Sequence, residues 1–140
     1  MKRLHIHTNV TPAAMPASLA FYETLFGTPP TKQRIGYARW RLDDPSVNFV
    51  IEETQTGADT GIHHVGLDVD TPEEMDSLRA VLKSANVPLL DIGETECCFA
   101  KSDKVWTQDP SGVRWEAFRS HGDLPDYGAK TEEEARRYNG

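Results

Sequence analysis

One order of predicted elements occurs twice along the 140-residue chain, and this repeat constrains the fold more than any single motif. Placing His5 on His64, 64 − 5 = 59 residues apart, aligns two alternating strands, each of which is followed by proline and a helical stretch. Each half then reads as a strand, a helix and further strands. The sequence therefore predicts an α+β fold built from two βαβββ modules.

Alternation and turn residues predict the elements of the first half. Residues 4–10 alternate between apolar and polar side chains, which is typical of a strand with two different faces. Residues 17–26 carry apolar side chains at helical spacing, and Gly27 is expected to end this helix. The stretches 34–42 and 47–52 are predicted as two strands around an Asp-Asp-Pro-Ser turn.

The second half begins with the alternating stretch 62–70 and a strong helix signal. Thr71 is suited to the N-cap, Pro72 to the first helical position and Glu74 to the capping box. The predicted apolar stripe of this helix is Met75, Leu78, Val81 and Leu82, and the strands predicted after it cover residues 97–100, 104–108 and 113–119.

Residues 94–118, ETECCFAKSDKVWTQDPSGVRWEAF, form the most informative stretch of the chain. The Asp-Pro-Ser-Gly segment at 109–112 predicts a tight turn between two strands. Glu116 then places a carboxylate inside an otherwise aromatic strand pattern. A charge at such a position faces either solvent or a group that compensates it, such as a metal.

Composition narrows the class of protein. The formal net charge of −7 argues against nucleic acid and anionic membrane surfaces as partners. The sequence has no run of about 18 apolar residues and no signal-peptide pattern, so we expect a cytoplasmic protein. One domain is expected over residues 1–128, made of repeats at about 2–54 and 61–120 and followed by a charged tail at 129–140.

Two imidazoles and a carboxylate occupy equivalent ends of the repeated units. If the first and last strands of each half line one concave face, His5, His64 and Glu116 converge. Such a ligand set is associated with non-haem Fe(II) oxygen chemistry, although Zn, Mn and Ni accept the same ligands. Val50 matches Glu116 in the first half and cannot ligate a metal, so a fourth protein ligand is available only if Glu52 or Glu53 substitutes by a shift of register. Three protein ligands leave room for oxygen or substrate.

Each of these residues also has a simpler interpretation. His5 is then an exposed residue near the terminus, and His7, on the same strand face, is the alternative first ligand. His63 has the opposite parity and is expected to pack or to lie at the rim. Glu116 is then a surface carboxylate, and a lone histidine is more often structural than a ligand. The equivalent placement of the three predicted ligands favours the metal site.

Cys97 and Cys98 are the chain's two cysteines, and they are adjacent. Their Cα atoms lie about 3.8 Å apart, below the usual disulfide span, so we expect a reduced dithiol. Buried cysteines also serve as small hydrophobic residues. Two neighbouring thiols are nonetheless suited to a soft centre such as trivalent arsenic or Cd(II), and Lys101 and Lys104 favour the thiolate form.

These motifs resemble the vicinal oxygen chelate superfamily, which includes glyoxalases, bleomycin resistance proteins and extradiol dioxygenases. The runs GYARWRLDDPSVNFVI, GIHHVGLDV and TECCFAKSDKVWTQDPSGVRWEAF are similar to the arsenic-inducible carbon–arsenic lyases and to the related cadmium-induced proteins. The resemblance covers roughly residues 1–128. It implies that the two βαβββ modules form a curved mixed sheet around a metal-binding cleft.

The resemblance also implies an activity, the Fe(II)- and O₂-dependent cleavage of trivalent organoarsenicals, methyl or aromatic, to arsenite. Fe(II) is the cofactor it implies, with Ni, Zn, Mn or Co as substitutes that the same ligands accept. The site residues implied are His5, His64 and Glu116 as catalytic metal ligands, with Cys97 and Cys98 binding the arsenic of the substrate. Lys104, which is close to the thiols in the sequence, is also predicted among the substrate-binding residues.

Two rival functions stay open at this point. The first is a non-enzymatic binder of Cd(II) or As(III), for which the dithiol matters and the metal ligands do not. The second is another dioxygenase or a thiol transferase of the same superfamily, in which the cysteines are incidental. The expected partners are a small trivalent organoarsenical and O₂, and a homodimer is compatible with the sequence.

Overall fold

The computed structural model describes residues 1–54, 59–97 and 99–123. Cys98 and the predicted tail at 129–140 lie outside the described residues. The first module contains β1 (Lys2–Val10), a short 3-10 turn (Pro12–Ala14), α1 (Met15–Phe26), β2 (Lys32–Arg34), β3 (Tyr37–Asp43) and β4 (Ser46–Glu53). The second contains β5 (Gly61–Val69), α2 (Pro72–Ser84), β6 (Leu89–Cys97), β7 (Ala100–Gln108) and β8 (Arg114–Asp123).

The chain divides into two compact units, and the division falls within β5. The N-terminal unit is Arg3–Val65, and its strands are hydrogen-bonded in the order β2-β3-β4-β1-β5. The C-terminal unit comprises the described residues from Gly66 onward together with Met1–Lys2, and its strand order is β5-β8-β7-β6. The first and last strands of each module are therefore neighbours, which confirms the predicted α+β fold of two βαβββ modules.

The first and last strands of the N-terminal module run parallel, whereas its other pairs, β2–β3 and β3–β4, are antiparallel. The β1–β4 register places His5 opposite Asn48 and His7 opposite Val50. In the C-terminal unit, β6–β7 and β7–β8 are both antiparallel. Parallel strands cannot be joined by a tight turn, so the N-terminal module needs its helix and middle strands to connect β1 with β4.

Helix α1 packs its apolar stripe on the core of the N-terminal unit. Trp40 and Ile51 are fully buried there, and the ring of Tyr22 on the helix contacts that of Phe49 at a tilt of 43°, with ring centroids 4.4 Å apart. Gly27 ends the helix as predicted, with a left-handed φ of 72° and its N–H donating to the Glu23 carbonyl. A left-handed residue at this position is accommodated best by glycine.

Helix α2 has the capping box that the sequence predicts. The Thr71 hydroxyl accepts from the Glu74 N–H at 3.1 Å, and the Glu74 carboxylate accepts from the Thr71 N–H at 3.1 Å. Met75 is fully buried against Val69 and the strands of the C-terminal unit. The prediction for Val81 is wrong, because this side chain is 61% exposed, although the predicted stripe residues Leu78 and Leu82 do pack on that core. Among the helices in the described ranges, none is long and apolar enough to cross a membrane.

Two predicted strands are interrupted by residues with positive φ. The predicted strand 34–42 is two strands, because Gly36 has φ of 72° and the preceding Ile35 is fully exposed at the turn. The predicted strand 97–100 is wrong as well, since β6 ends at Cys97 and Phe99 has φ of 62°. Strand β6 itself was missed, because its polar sequence shows little alternation and its order comes from pairing with β7.

The turn between β7 and β8 forms where the Asp-Pro-Ser-Gly segment predicts it. One carboxylate oxygen of Asp109 accepts from the N–H of Ser111 at 2.9 Å, from its hydroxyl at 2.8 Å and from the Val113 N–H at 2.8 Å. The hydrogen bond from Val113, followed by that from the Ser111 side chain, holds the pKa of Asp109 below its ordinary value. The negative charge therefore stabilises this hairpin.

We predict that Asp109→Asn destabilises the protein at neutral pH, because the amide keeps the shape of the side chain but removes its charge. A depressed pKa contributes stability above the unfolded pKa of about 3.9, and this contribution is lost as the pH falls through the folded value. Urea titrations should give a difference between wild type and variant that is constant above about pH 5 and shrinks below about pH 4. A difference that does not change between pH 7 and pH 3 would contradict the role of the charge.

Candidate metal centre

Strand β1 carries two buried histidines on the face opposite to Ile6 and Val10, which pack on the core of the N-terminal unit. His5 and His7 are two residues apart and therefore point to the same side of the strand. Both imidazoles are buried, with relative exposures of 4% and 7%, whereas Leu4 on the opposite face of the strand is 43% exposed. Burying imidazoles while leaving leucine in solvent opposes the usual distribution, so the arrangement calls for partners that the histidines gain on folding.

His64 of β5 joins these two side chains within the N-terminal unit. The centroid of its ring lies 5.4 Å from that of the His5 ring. The same ring stacks on the His7 ring with centroids 4.6 Å apart and an interplanar angle of 17°. Each of the three buried residues offers a ring nitrogen within 4.8 Å of the nitrogens of the other two. We call His5, His7 and His64 the histidine cluster. Imidazole nitrogens this close suit a divalent transition metal.

Each imidazole of the cluster has a polar partner at hydrogen-bond distance. His5 Nδ1 lies 3.0 Å from the carbonyl oxygen of Asn48, which is its neighbour across the β1–β4 pair. His7 Nε2 lies 3.1 Å from Oε2 of Glu52 on β4. His64 Nδ1 lies 2.8 Å from His63 Nδ1. Partners of this kind fix the ring orientation and the tautomer of metal-binding histidines.

Sequence reasoning gave His7 only as an alternative to His5 and Glu52 only as a ligand after a shift of register, and it expected His63 to pack or to lie at the rim. A signal for His7 was available, because its spacing from His5 puts both on one strand face. The half-buried His63 contacts its neighbour His64 directly. The contact between His7 and Glu52 depends on strand pairing between residues 45 positions apart, 52 − 7, and local sequence gives no sign of it.

Glu116 lies in the C-terminal unit, where an ammonium group compensates its charge. Lys104 Nζ is 3.1 Å from Glu116 Oε2, and the two residues are 4% and 7% exposed. Glu116 is paired with Trp106 on β7, and Lys104 lies two residues along the same strand, on the same face. An isolated buried carboxylate would be strongly unfavourable, so the lysine allows this charge to be buried.

Gly66 allows the backbone of β8 to come close at Glu116. A Cβ at this glycine would lie 2.1 Å from the carbonyl oxygen of Glu116 and 3.3 Å from its nitrogen. Gly66 lies 59 residues after His7 and is thus its counterpart in the repeat. The two modules therefore carry their polar side chain on different strands. In the first module His7 on the first strand lies opposite Val50 on the last, and in the second module Gly66 on the first strand lies against Glu116 on the last.

The structure therefore brings His5 and His64 together and pairs Glu116 with Lys104. Cys97 is the last residue of β6 and is paired with Ala100. Cys98 lies outside the described residues. The joint ligation of one metal by His5, His64 and Glu116, and the role of the thiols, stay predictions.

Comparisons with known proteins agree on the type of protein. A model of the Glyoxalase/Bleomycin resistance protein/Dioxygenase superfamily matches residues 5–117. The chain is 34% identical over 119 residues to a trivalent organoarsenical cleaving enzyme of Thermomonospora curvata, covering 85% of this chain and 78% of that enzyme. It is also 34% identical over 130 residues to the cadmium-induced protein CadI of Mycobacterium bovis, covering 92% and 83% of the two chains.

Solved structures show the same fold at low sequence identity. The homoprotocatechuate 2,3-dioxygenase of Arthrobacter globiformis aligns with a TM-score of 0.60 and 20% identity, covering 86% of this chain and 36% of that one. This likeness concerns the fold alone.

We predict that Gly66→Ala is destabilising, because the added methyl meets backbone atoms of Glu116 that cannot rotate away. Overpacking of this kind costs about 1–3 kcal/mol of unfolding free energy. Gly122→Ala on β8 is the matched control, since a Cβ there would meet the flexible Lys101 side chain at 3.4 Å. Urea unfolding of both variants is the measurement, and equal losses would show that the contact with Glu116 is not the cause.

We predict that Lys104→Met destabilises the metal-free protein by about 3–5 kcal/mol, because it leaves the buried Glu116 carboxylate without its ammonium. The double variant Lys104→Met/Glu116→Leu should recover much of this loss, since two apolar side chains replace a buried ion pair. Urea unfolding of the two single variants and the double variant gives the interaction energy. Additive losses would contradict the pairing.

Proposed function

Since the chain belongs to the glyoxalase/bleomycin resistance protein/dioxygenase superfamily, we propose that it is an Fe(II)- and O₂-dependent carbon–arsenic lyase. Its substrates would be trivalent organoarsenicals with a methyl or aromatic group, and its inorganic product arsenite. The observation that carries the proposal is that the buried rings of His5 and His64 have centroids 5.4 Å apart, in a chain 34% identical to a trivalent organoarsenical cleaving enzyme.

The residues proposed to hold the metal are His5, His64 and Glu116. Two imidazoles and one carboxylate suit Fe(II), and Ni, Zn, Mn or Co accept the same donors. When bound, the iron would supply a site at which O₂ is activated. The protein's own contribution is to bury these ligands and to orient them, with Asn48 contacting His5 and Lys104 contacting Glu116.

We propose that Cys97 and Cys98 capture the arsenic. Thiolates are soft ligands and suit trivalent arsenic, whereas harder oxygen donors suit it less. Adjacent residues on a regular strand point to opposite faces, so both sulfurs can bind one atom only where the strand stops. The end of β6 at Cys97 and the positive φ of Phe99 are consistent with this requirement. For methylarsenite the proposed reaction is CH₃As(OH)₂ + O₂ → HCHO + As(OH)₃. The C–As bond breaks, O₂ accepts the four electrons lost by the carbon, one oxygen atom enters formaldehyde and the other enters arsenite, and arsenic stays trivalent.

The substrate and the thiols suggest where the protein works. An adjacent dithiol has to stay reduced to bind arsenic, so we propose the cytoplasm as its compartment.

Lys104, predicted among the substrate-binding residues, would act through the Glu116 carboxylate that it contacts. The small organoarsenical and O₂ are the proposed partners, and a homodimer is a further proposal.

A second candidate function is the binding of cadmium or arsenic without turnover. The similarity to the cadmium-induced protein CadI favours it, because this match covers 92% of the chain at 34% identity. Both functions use the dithiol. They differ in whether a chemical bond of the ligand is broken.

We predict that the Fe(II)-loaded protein releases arsenite from methylarsenite in air and not under anaerobic conditions. Cys97→Ser and Cys98→Ser should each abolish this release while leaving the iron content unchanged, because a serine hydroxyl is protonated and hard at neutral pH. Arsenite release, iron content and As(III) binding are measured on the same preparations. Full release in both variants would refute capture by the thiols, and As(III) binding without any release in wild type would favour the binding protein.

A further inference from the structure

We infer that His7 is a metal ligand and that the histidine cluster forms a three-imidazole site for a divalent transition metal within the N-terminal unit. The inference rests on the proposed binding of metal by His5 and His64, but not on the reaction or on Glu116. It also gives Glu52 a role, since this carboxylate orients the His7 ring. Three observations carry it: the distances in the cluster, the partner of each ring and the difference between the two modules.

The distances allow one ion to reach all three rings. The candidate ligand atoms lie within 4.8 Å of one another, and the three residues are buried. A metal–imidazole bond is about 2.1 Å long, so two nitrogens on the same ion are separated by at most about 4.2 Å. Movements of about 1 Å by each ring close this difference, and changes in side-chain torsion supply them.

The ring partners orient the three imidazoles. The Asn48 carbonyl can accept but not donate, so His5 uses Nδ1 for this contact and its other ring nitrogen, Nε2, is the candidate ligand atom. By the same argument the Glu52 carboxylate accepts from His7 Nε2, and the candidate ligand atom of His7 is Nδ1. His64 Nδ1 lies 2.8 Å from His63 Nδ1, and this contact holds the plane of the His64 ring. Such outer partners are typical of histidines that bind metals.

The difference between the modules explains why the third imidazole is needed at His7. In the second module the oxygen donor stands on the last strand as Glu116, and the close residue of the first strand is Gly66. In the first module the matching position on the last strand is Val50, which has no donor atom, and the residue directly across from it is His7. The candidate ligand is therefore on the last strand in the second module and on the first strand in the first module.

Burial supports ligation over simple packing. His7 is 7% exposed, and its partner Glu52 is half-buried on the same unit. An imidazole buried only for packing would be replaced at lower desolvation cost by an apolar side chain. Three imidazole ligands also favour borderline metals such as Zn(II), Ni(II) and Fe(II) over Mg(II) or Ca(II).

Zn(II) affinity tests the assignment independently of arsenic chemistry. The full-length protein is freed of metal, and Zn(II) is partitioned against a chromophoric chelator. His7→Gln should weaken binding by more than about 100-fold, and Glu52→Gln by about 10–100-fold, which is typical for partners of metal-binding histidines. His121→Gln is the matched control, because His121 also contacts a carboxylate, Glu94 Oε2 at 2.6 Å, and lies outside the cluster. Its affinity should equal that of wild type.

Proton NMR of the Co(II)-loaded wild-type protein gives a second readout that needs no variant. Each imidazole bound to Co(II) contributes one shifted ring N–H resonance that disappears in D₂O. Three such resonances are expected from the histidine cluster, and His7→Gln should retain two. Two resonances in wild type would overturn the inference, even if His7→Gln failed to fold. Circular dichroism of each variant shows whether a loss of affinity reflects a loss of fold.

The outcomes separate this inference from the proposed function. If His7→Gln binds Zn(II) like wild type while Glu116→Gln does not, the inference fails and the ligand set of the proposed lyase stands. If His7→Gln loses binding and Glu116→Gln retains it, the three-imidazole site stands and the predicted role of Glu116 fails. If the Fe(II)-loaded wild type releases no arsenite while His7→Gln binds Zn(II) weakly, the lyase is refuted and the metal site stands.

Discussion

The pairing of the first strand with the last strand in each module is the constraint on which the functional features depend. In the N-terminal unit this parallel pair sets Asn48 opposite His5 and Val50 opposite His7, and it carries Glu52 on the strand beside the histidines. In the C-terminal unit the corresponding neighbours are β5 and β8, where Gly66 allows close approach at Glu116. A one-residue slip of either pair would turn the donor side chains to the opposite face.

Buried polar side chains of the candidate site have compensating partners on neighbouring strands. His7 has Glu52, His5 has the Asn48 carbonyl, and Glu116 has Lys104. Ion pairs and imidazoles buried in this way contribute less stability than apolar side chains of the same size would. A role in ligand binding therefore explains these buried polar residues better than a role in stability does. The units are stabilised by the aromatic core under α1 and the apolar core under α2.

The two proposed sets of donors differ in softness, which suggests a division of roles. Imidazole and carboxylate nitrogen and oxygen atoms suit a first-row metal, whereas adjacent thiolates suit arsenic or cadmium. A chain that only bound thiophilic ions would not need the buried histidine cluster with its oriented ring partners. A dioxygenase acting on an ordinary organic substrate would not need the dithiol. The proposed lyase is the function that uses both sets.

The sequence by itself determined the features that depend on neighbouring residues. The order of both βαβββ modules, the capping box of Thr71 and the turn at Asp109 follow from local propensity and side-chain hydrogen bonding, and each is present. The repeat also placed His5 and His64 at equivalent positions, and their rings do lie close together.

Tertiary structure decided the features that depend on register between distant strands. It placed Lys104 beside Glu116 and Glu52 beside His7, paired β6 with β7, and left Val81 exposed to solvent. Local sequence cannot specify these contacts, because each joins segments whose relative alignment is fixed by the packing of a whole module. The periodicity of a strand predicts which side chains share a face, but the partner across that face is chosen by strand pairing.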